Sequence, residues 1–218
     1  MICKTTFINA HTHDRDDNDF ISIVSYRIGV DTVDSSAPFT MGVHPWDTQT
    51  FDVNAIRKTI IPNENLKAIG EIGLDYAKGK KNRNIQLLYF TQQLNIAESM
   101  GLGVVIHCVK AYDDMMPILQ EYASKLKFIM LHGFIGDPQL AVQLTKMGVY
   151  LSFGFTSLNS DKTEDSIRRT PTDMLFLETD DMDNNIEELY EEVSGIKGCS
   201  VEELKEQVFN NYQKVYGE

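Results

Sequence analysis

The residues of this chain that most strongly indicate a chemical function are its histidines, which lie next to apolar runs. His11 and His13 are spaced i, i+2 at the end of an apolar stretch, and on a β-strand this spacing puts both imidazoles on one face. Two neutral imidazoles with carboxylates nearby can hold a divalent metal. By itself, a single His-x-His is more typical of two surface histidines, because the pattern is short and common.

The other three histidines favour the metal. His44, His107 and His132 each lie at or just beyond the end of a predicted strand, and Glu71 and Asp180 occupy comparable positions. In a parallel barrel the carboxyl ends of the strands converge on the face where active sites are built. Randomly placed histidines would rarely all fall there, so the set predicts a functional site.

Eight strand candidates, with helices between most of them, would position these side chains. The candidates are short, mostly β-branched or aromatic runs at residues 7–14, 20–26, 39–43, 66–74, 103–106, 128–131, 149–153 and 174–177. Strands that alternate with helices indicate a parallel sheet covered by helices, and eight of them predict a closed (β/α)8 TIM-type barrel. We expect one α/β domain over residues 1–218, slightly irregular because its second βα unit is too short for a full helix.

Composition limits the classes of function and the cellular compartment that the sequence allows. The net charge of −12, from 20 basic and 32 acidic residues, counts against a large surface that coats nucleic acid. It does not exclude a nuclease, since bound cations can reverse the sign of charge in a cleft. The absence of a long apolar run or secretory signal predicts no membrane association. Three scattered cysteines predict a reducing compartment, and we expect a cytoplasmic protein.

Six short motifs occur in one order across positions 11–180, and together they resemble the TatD-type metal-dependent hydrolases, DNases among the amidohydrolase-like barrels. The motifs are His11-Thr-His13, Gly42-Val-His44-Pro45, Ala68-Ile-Gly-Glu71-Ile-Gly-Leu-Asp75-Tyr76, Val105-Ile-His107, His132-Gly-Phe134-Ile-Gly136 and Leu177-Glu-Thr-Asp180. The resemblance implies two divalent metal ions, Zn, Mn or Mg. A mixed imidazole and carboxylate set suits Zn, Mn or Fe better than Mg or Ca.

The resemblance also implies a role for each ligand. The first ion is assigned to His11, His13 and Asp180, and the second to His107 and His132. Glu71 is expected to bridge the two ions. Such a pair can activate a water and stabilise the leaving oxygen of a phosphodiester. Asp180 and Glu71 are the catalytic candidates, with Asp180 as the acceptor of the proton from that water.

Substrate contacts are predicted at five residues: His44, Asp75, Lys78, Lys80 and Lys81. His44 is interpreted as a phosphate contact or, alternatively, as a strand cap. Asp75 is expected to orient a ligand or water, or else only to cap a loop. The lysines, with Arg83, form a basic loop that either gathers phosphates or is simply solvated. Trp46 either stacks a base or packs beside Pro45.

Some positions depart from the family pattern. Asn9 stands where many members have Asp, Val109-Lys110 replaces Arg-Asp after His107, and Asp181-Met182 replaces Ser-Pro after Asp180. Cys108 is expected to be buried rather than catalytic, and Glu178 to have a structural or ligand-supporting role.

The predicted function is a divalent-metal-dependent hydrolase of ester bonds, acting as an exonuclease-like deoxyribonuclease. Its partner would be DNA, bound transiently as substrate, and the chain is expected to be a monomer. One alternative keeps the metal site but hydrolyses a small-molecule amide or ester, because a fold does not fix its chemistry. Another is a metal-binding scaffold without turnover.

Overall fold

The computed structural model describes residues 5–15, 20–60, 62–79, 82–183 and 185–217. Cys3, Lys80 and Lys81 therefore lie outside the described residues. The chain divides into two compact units, which we call the first unit (Met1–Val24 and His132–Glu218) and the second unit (Ser25–Leu131). The single domain over residues 1–218 stays a prediction.

Eight strands form one sheet in which their order follows the sequence. They are β1 (Ile8–Thr12), β2 (Ile21–Arg27), β3 (Phe39–Gly42), β4 (Leu66–Asp75), β5 (Gly103–Val109), β6 (Ile129–Leu131), β7 (Val149–Phe153) and β8 (Leu175–Leu177). The recorded pairings are parallel. This is the strand order of a (β/α)8 TIM-type fold, and the predicted fold class is confirmed.

Eight α-helices are described. They are α1 (Ile56–Thr59), α2 (Tyr76–Gly79), α3 (Arg83–Met100), α4 (Tyr112–Tyr122), α5 (Pro138–Lys146), α6 (Asp161–Arg169), α7 (Ile186–Lys197) and α8 (Val201–Tyr216). Residues 28–38, between β2 and β3, contain turns and no helix. The irregularity predicted for the second βα unit is therefore confirmed.

In the first unit, buried strands are held by a helix side chain. β1, β7 and β8 are buried along their whole length, as expected for strands of a parallel sheet that is covered on both faces. The hydroxyl of Tyr190 on α7 donates to the carbonyl of Ile8 (3.0 Å) and accepts its N–H (3.2 Å). The start of β1 is thereby fixed to α7.

In the second unit, two predicted element bounds are wrong. The spacing of apolar residues over 51–60 predicts one helix that stops before Pro62, but the structure has a 3-10 turn at Val53–Ala55 and the single turn α1. Only Ile56 of those two turns is buried, so a longer helix would gain little from packing. β5 runs on to Val109 because it pairs along β4 as far as Asp75. His107 consequently lies inside β5 rather than beyond it.

Within the described ranges, none of the helices has the length and apolarity that crossing a bilayer requires.

Candidate metal centre

Two proposed ligands sit at irregularities of their strands. Between Asn9 and Thr12, β1 advances three residues while β2 advances two, from Ser22 to Val24. This extra residue, a β-bulge, falls at the stretch that contains His11. Bulges re-aim side chains and are common beside active sites, so simple strand alternation does not describe this face.

Glu71 is placed in the same way. From Ile69 to Ile72, β4 advances three residues while β5 advances two, from Val104 to Ile106. The prediction that Glu71 stands at a strand end is wrong, because β4 continues to Asp75. The bulge, rather than the end of the strand, breaks the regular alternation at this carboxylate.

His11, His13 and Asp180 form the clearest metal-binding geometry of the first unit. The Nε2 atoms of both histidines lie 3.6 Å from Oδ1 of Asp180, which is too long for hydrogen bonds. Two ligand atoms bound about 2.1 Å from one ion at a tetrahedral angle are about 3.4 Å apart. The donor set and its spacing therefore fit one divalent cation.

The backbone holds Asp180 against β1. Its N–H donates to the carbonyl of His11 (3.1 Å), and its carbonyl accepts from the N–H of His13 (3.3 Å). Asp180 has a φ of +54°, a conformation that non-glycine residues rarely adopt and that is found at functional sites. These bonds offset the strain and direct the carboxylate to the two histidines.

Asn9 stabilises the same contact. Its amide donates to Thr179 Oγ1 (2.8 Å) and accepts from the Thr179 N–H (3.0 Å), and both residues are buried. The Thr179 hydroxyl can donate as well as accept. A carboxylate could therefore also be accommodated here, and asparagine makes the same link without burying a charge.

His132 lies in the first unit beside His11, with ring centroids 4.2 Å apart. Its Nδ1 is 3.2 Å from Oε1 of Glu178, whose side chain is fully buried. A carboxylate on Nδ1 fixes the ring and leaves Nε2 for a metal. The supporting role expected of Glu178 is consistent with this contact.

The second unit holds a cluster of His44, Glu71 and His107. Oε1 of Glu71 lies 3.2 Å from Nε2 of His44 and 2.6 Å from Nδ1 of His107. These three residues offer potential ligand atoms that all lie within 4.8 Å of one another. Burial lowers the pKa of His44, and the hydrogen bond to Glu71 opposes this shift. A neutral imidazole can bind a metal ion. The position of His44 therefore fits a metal ligand as well as the predicted phosphate contact.

Asp75 supports His107 from the other side. Its Oδ2 lies 3.3 Å from Nε2 of His107 and accepts the indole N–H of Trp46 at 2.7 Å. Burial raises the pKa of Asp75, but the hydrogen bonds from His107, Lys78 N–H and Trp46 outweigh burial and hold that pKa below its usual range. Asp75 is thus an anion, and its contact with Nε2 keeps Nδ1 of His107 facing Glu71.

Two buried glutamines that the sequence reasoning missed hold this cluster in place. Gln93 accepts the N–H of Val43 (2.7 Å) and donates to its carbonyl (3.1 Å). Gln86 makes the same pair of bonds with Asp75, at 2.8 and 3.0 Å. Seven residues apart on α3, the two lie on one face of the helix. Glutamines on its apolar face, beside Phe90, were the available sequence signal.

Replacing Gln93 by leucine is expected to lower the free energy of unfolding by about 2 kcal/mol, because the N–H and carbonyl of Val43 lose their buried partners. Urea denaturation measures this change. The neighbouring Gln92 is exposed, and Gln92→Leu is the matched control, expected to change stability by less than about 0.5 kcal/mol. Equal midpoints for the two variants would contradict the role given to Gln93.

The basic loop divides into residues with different partners. Arg83 forms a two-pronged ion pair with Asp114, at 2.5 and 2.6 Å, so its charge is already neutralised. Lys78 lies over the ring of Trp46, with Nζ 3.5 Å from the ring centroid. Lys80 and Lys81 lie outside the described residues, and their substrate contacts stay predictions.

Cys108 is not poised as a nucleophile. Burial raises the pKa of its thiol to about 12, and the thiolate is the reactive form. The expected full burial of Cys108 is wrong, because its side chain is only half-buried at the end of β5. The raised pKa of the thiol agrees with the expectation that Cys108 is not catalytic.

Each unit thus brings together part of the predicted ligand set. The first unit gathers His11, His13, Asp180 and His132, and the second gathers Glu71 with His107 and adds His44. The assignment of His107 and His132 to one ion, and the bridging role of Glu71, stay predictions.

Comparison with known sequences identifies relatives. The family model of TatD-related DNases matches residues 29–217. YabD from Bacillus subtilis (strain 168), named as an uncharacterized metal-dependent hydrolase, is 35% identical over 144 residues, which cover 64% of this chain and 56% of YabD. The 3′-5′ ssDNA/RNA exonuclease TatD of Cronobacter turicensis is 35% identical over 148 residues, covering 65% of this chain and 56% of that protein. The chain thus matches little more than half the length of these relatives.

A solved structure agrees on the fold. The TatD homologue YJJV from Escherichia coli K12 aligns with a TM-score of 0.82 and 20% identity, covering 97% of this chain and 98% of YJJV. Since the family model extends over most of the sequence, the chain belongs to the TatD-related DNase family.

Proposed function

We propose that this protein is a divalent-metal-dependent phosphodiesterase that removes nucleotides from the ends of single-stranded DNA. The observation that carries the proposal is the spacing of His11 and His13 from Asp180, 3.6 Å in each case, which fits a shared cation better than hydrogen bonds. The relative named as a 3′-5′ ssDNA/RNA exonuclease supports the substrate class.

The proposed ligands are the six residues predicted from the sequence: His11, His13, Glu71, His107, His132 and Asp180. When bound, divalent ions lower the pKa of water and balance charge on phosphodiester oxygens. Imidazole and carboxylate donors suit Zn or Mn. His44 belongs with this set as a seventh candidate, because it is buried, is close to Glu71 and has a lowered pKa.

Asp180 is the proposed proton acceptor. Its side chain is 42% exposed, so water and substrate can reach it, whereas Glu71 is almost fully buried. Glu178 keeps Nε2 of His132 available through its contact with Nδ1. Asp75 contacts the other ring nitrogen of His107, Nε2, and leaves its Nδ1 facing Glu71. The carboxylates thus divide between proton transfer and orientation of ligands.

The test is a panel of substrates. Wild-type protein with Mn²⁺ is expected to release mononucleotides from single-stranded DNA much faster than it hydrolyses p-nitrophenyl acetate or a small amide. Asp180→Asn should reduce nucleotide release by roughly 10³-fold, because it removes the proton acceptor. The exposed Asp173→Asn is the matched control and should keep the wild-type rate. Preference for the small ester, with DNA left intact, would replace the nuclease by a small-molecule hydrolase. Equal DNA cleavage by both variants would remove Asp180 from the chemistry.

A further inference from the structure

A cavity of about 280 Å³ opens in the second unit at Trp46, whose ring contacts His44 of the His44–Glu71–His107 cluster. It is lined by Pro45, Trp46, Lys78, Asn82 and Gln86. This volume is near the lower limit of known ligand pockets, roughly 300 Å³. It therefore has room for one small planar group and its substituent rather than for a large ligand.

Trp46 provides an exposed ring with a fixed orientation. The side chain is 42% exposed, while its indole N–H is hydrogen-bonded to buried Asp75. The ring lies edge-to-face against His44, with centroids 4.5 Å apart, and its centroid is 6.1 Å from that of His107. An aromatic surface held this close to the ligand cluster can stack a planar group without first losing conformational freedom.

Two cationic side chains, Arg27 and Lys78, lie near the Trp46 ring, and of the two only Arg27 forms an ion pair within the described ranges. Arg27 lies 5.7 Å from the ring centroid and is engaged by both carboxylate oxygens of Asp47. The Lys78 ammonium lies 3.5 Å from the centroid, and among the described residues no carboxylate forms an ion pair with it. On its flexible stem, the Lys78 ammonium can move from the ring to an anion.

We propose that this cavity binds one nucleotide of a single-stranded nucleic acid, with the Lys78 ammonium on a phosphate and the Trp46 indole against the base. The aromatic ring and the mobile cation are the two groups that single-strand binding sites combine. The inference rests on the proposed nuclease function and deepens it, because it assigns the subsite that places the strand beside the His44–Glu71–His107 cluster.

The test measures binding without turnover. Asp180→Asn protein with Mn²⁺ is titrated with a five-residue thymidine oligonucleotide, and binding is followed by the fluorescence of Trp46, the only tryptophan of the chain, and by the anisotropy of a labelled strand. An abasic strand of equal length tests the contribution of the bases. Lys78→Met and Trp46→Phe are compared with exposed controls, Lys58→Met and Ile85→Ala.

Lys78→Met is expected to weaken binding about tenfold and to reduce the slope of log affinity against log salt by about 0.7, the share of one phosphate contact on a single strand. The thymidine strand should quench Trp46, and the abasic strand should bind more weakly. The proposal is overturned if Lys78→Met keeps the wild-type affinity and salt slope, if the strand binds without altering Trp46 fluorescence, or if no strand binds.

Failure of this proposal is distinguishable from failure of the proposed function. Normal DNA cleavage by wild type, together with unchanged binding by Lys78→Met, would reject the subsite and leave the nuclease standing. Absence of DNA cleavage by wild type at any metal concentration would reject the nuclease itself.

Discussion

Glu71→Gln is expected to reduce metal-dependent release of nucleotides by roughly 10³-fold, equivalent to about 4 kcal/mol of barrier. Glutamine keeps the volume of glutamate but removes the negative charge that faces two histidines at 3.2 and 2.6 Å. A neutral amide oxygen is a weaker ligand for a divalent ion than a carboxylate. The initial rate of strand hydrolysis at saturating Mn²⁺ measures the effect.

The matched control for Glu71→Gln is Glu64→Gln, which removes a carboxylate from an exposed position just before the same strand. This control should keep the wild-type rate. Thermal unfolding of both variants separates a chemical role from a structural one. If Glu71→Gln is folded but inactive, the loss of activity arises from the missing carboxylate and not from unfolding. A Glu71→Gln rate within threefold of wild type would contradict the assignment.

Gly73→Ala is expected to cost about 3–5 kcal/mol of unfolding free energy. Gly73 has a φ of +142°, and a Cβ at this position would lie 2.0 Å from the carbonyl oxygen of its strand partner His107. Alanine would thus combine a backbone conformation almost restricted to glycine with an overlap that only movement of β5 relieves. The midpoint of urea denaturation reports the loss.

Gly101→Ala isolates the steric part of this prediction. Gly101 also has a positive φ, +64°, but a Cβ there meets nothing within 4 Å. Its cost is therefore only the conformational one, about 1–2 kcal/mol. Similar losses for the two variants would mean that the close approach of β4 and β5 does not constrain Gly73.

Much of the fold followed from the sequence because strands and helices carry different periodicities. The bounds of β7 match the predicted ones, residues 149–153, and the helical spacing of residues 161–169 likewise predicts the bounds of α6. Short buried runs and an amphipathic helix are local signals. The errors fell where tertiary pairing decides the bounds, as in β5, which extends to Val109 because β4 continues beside it.

The candidate site was predictable in its residue types but not in its geometry. Their positions at predicted strand ends indicated His11 and Asp180 as site residues. The bulges at His11 and Glu71, however, depend on pairing with neighbouring strands. The hydrogen bonds of Gln86 and Gln93 with the backbone of the site depend on which face of α3 is buried. Such contacts join distant parts of the chain, and no local pattern encodes them.

The most direct test of the central claim is the wild-type nuclease assay started from metal-free protein. The chain is freed of metal with a chelator, Mn²⁺ is restored stepwise, and mononucleotides released from single-stranded DNA are counted at each step. We predict no release without metal and a rise to saturation as Mn²⁺ is restored. Release that is undiminished in the chelator, or none at any Mn²⁺ concentration, would contradict a metal-dependent phosphodiesterase.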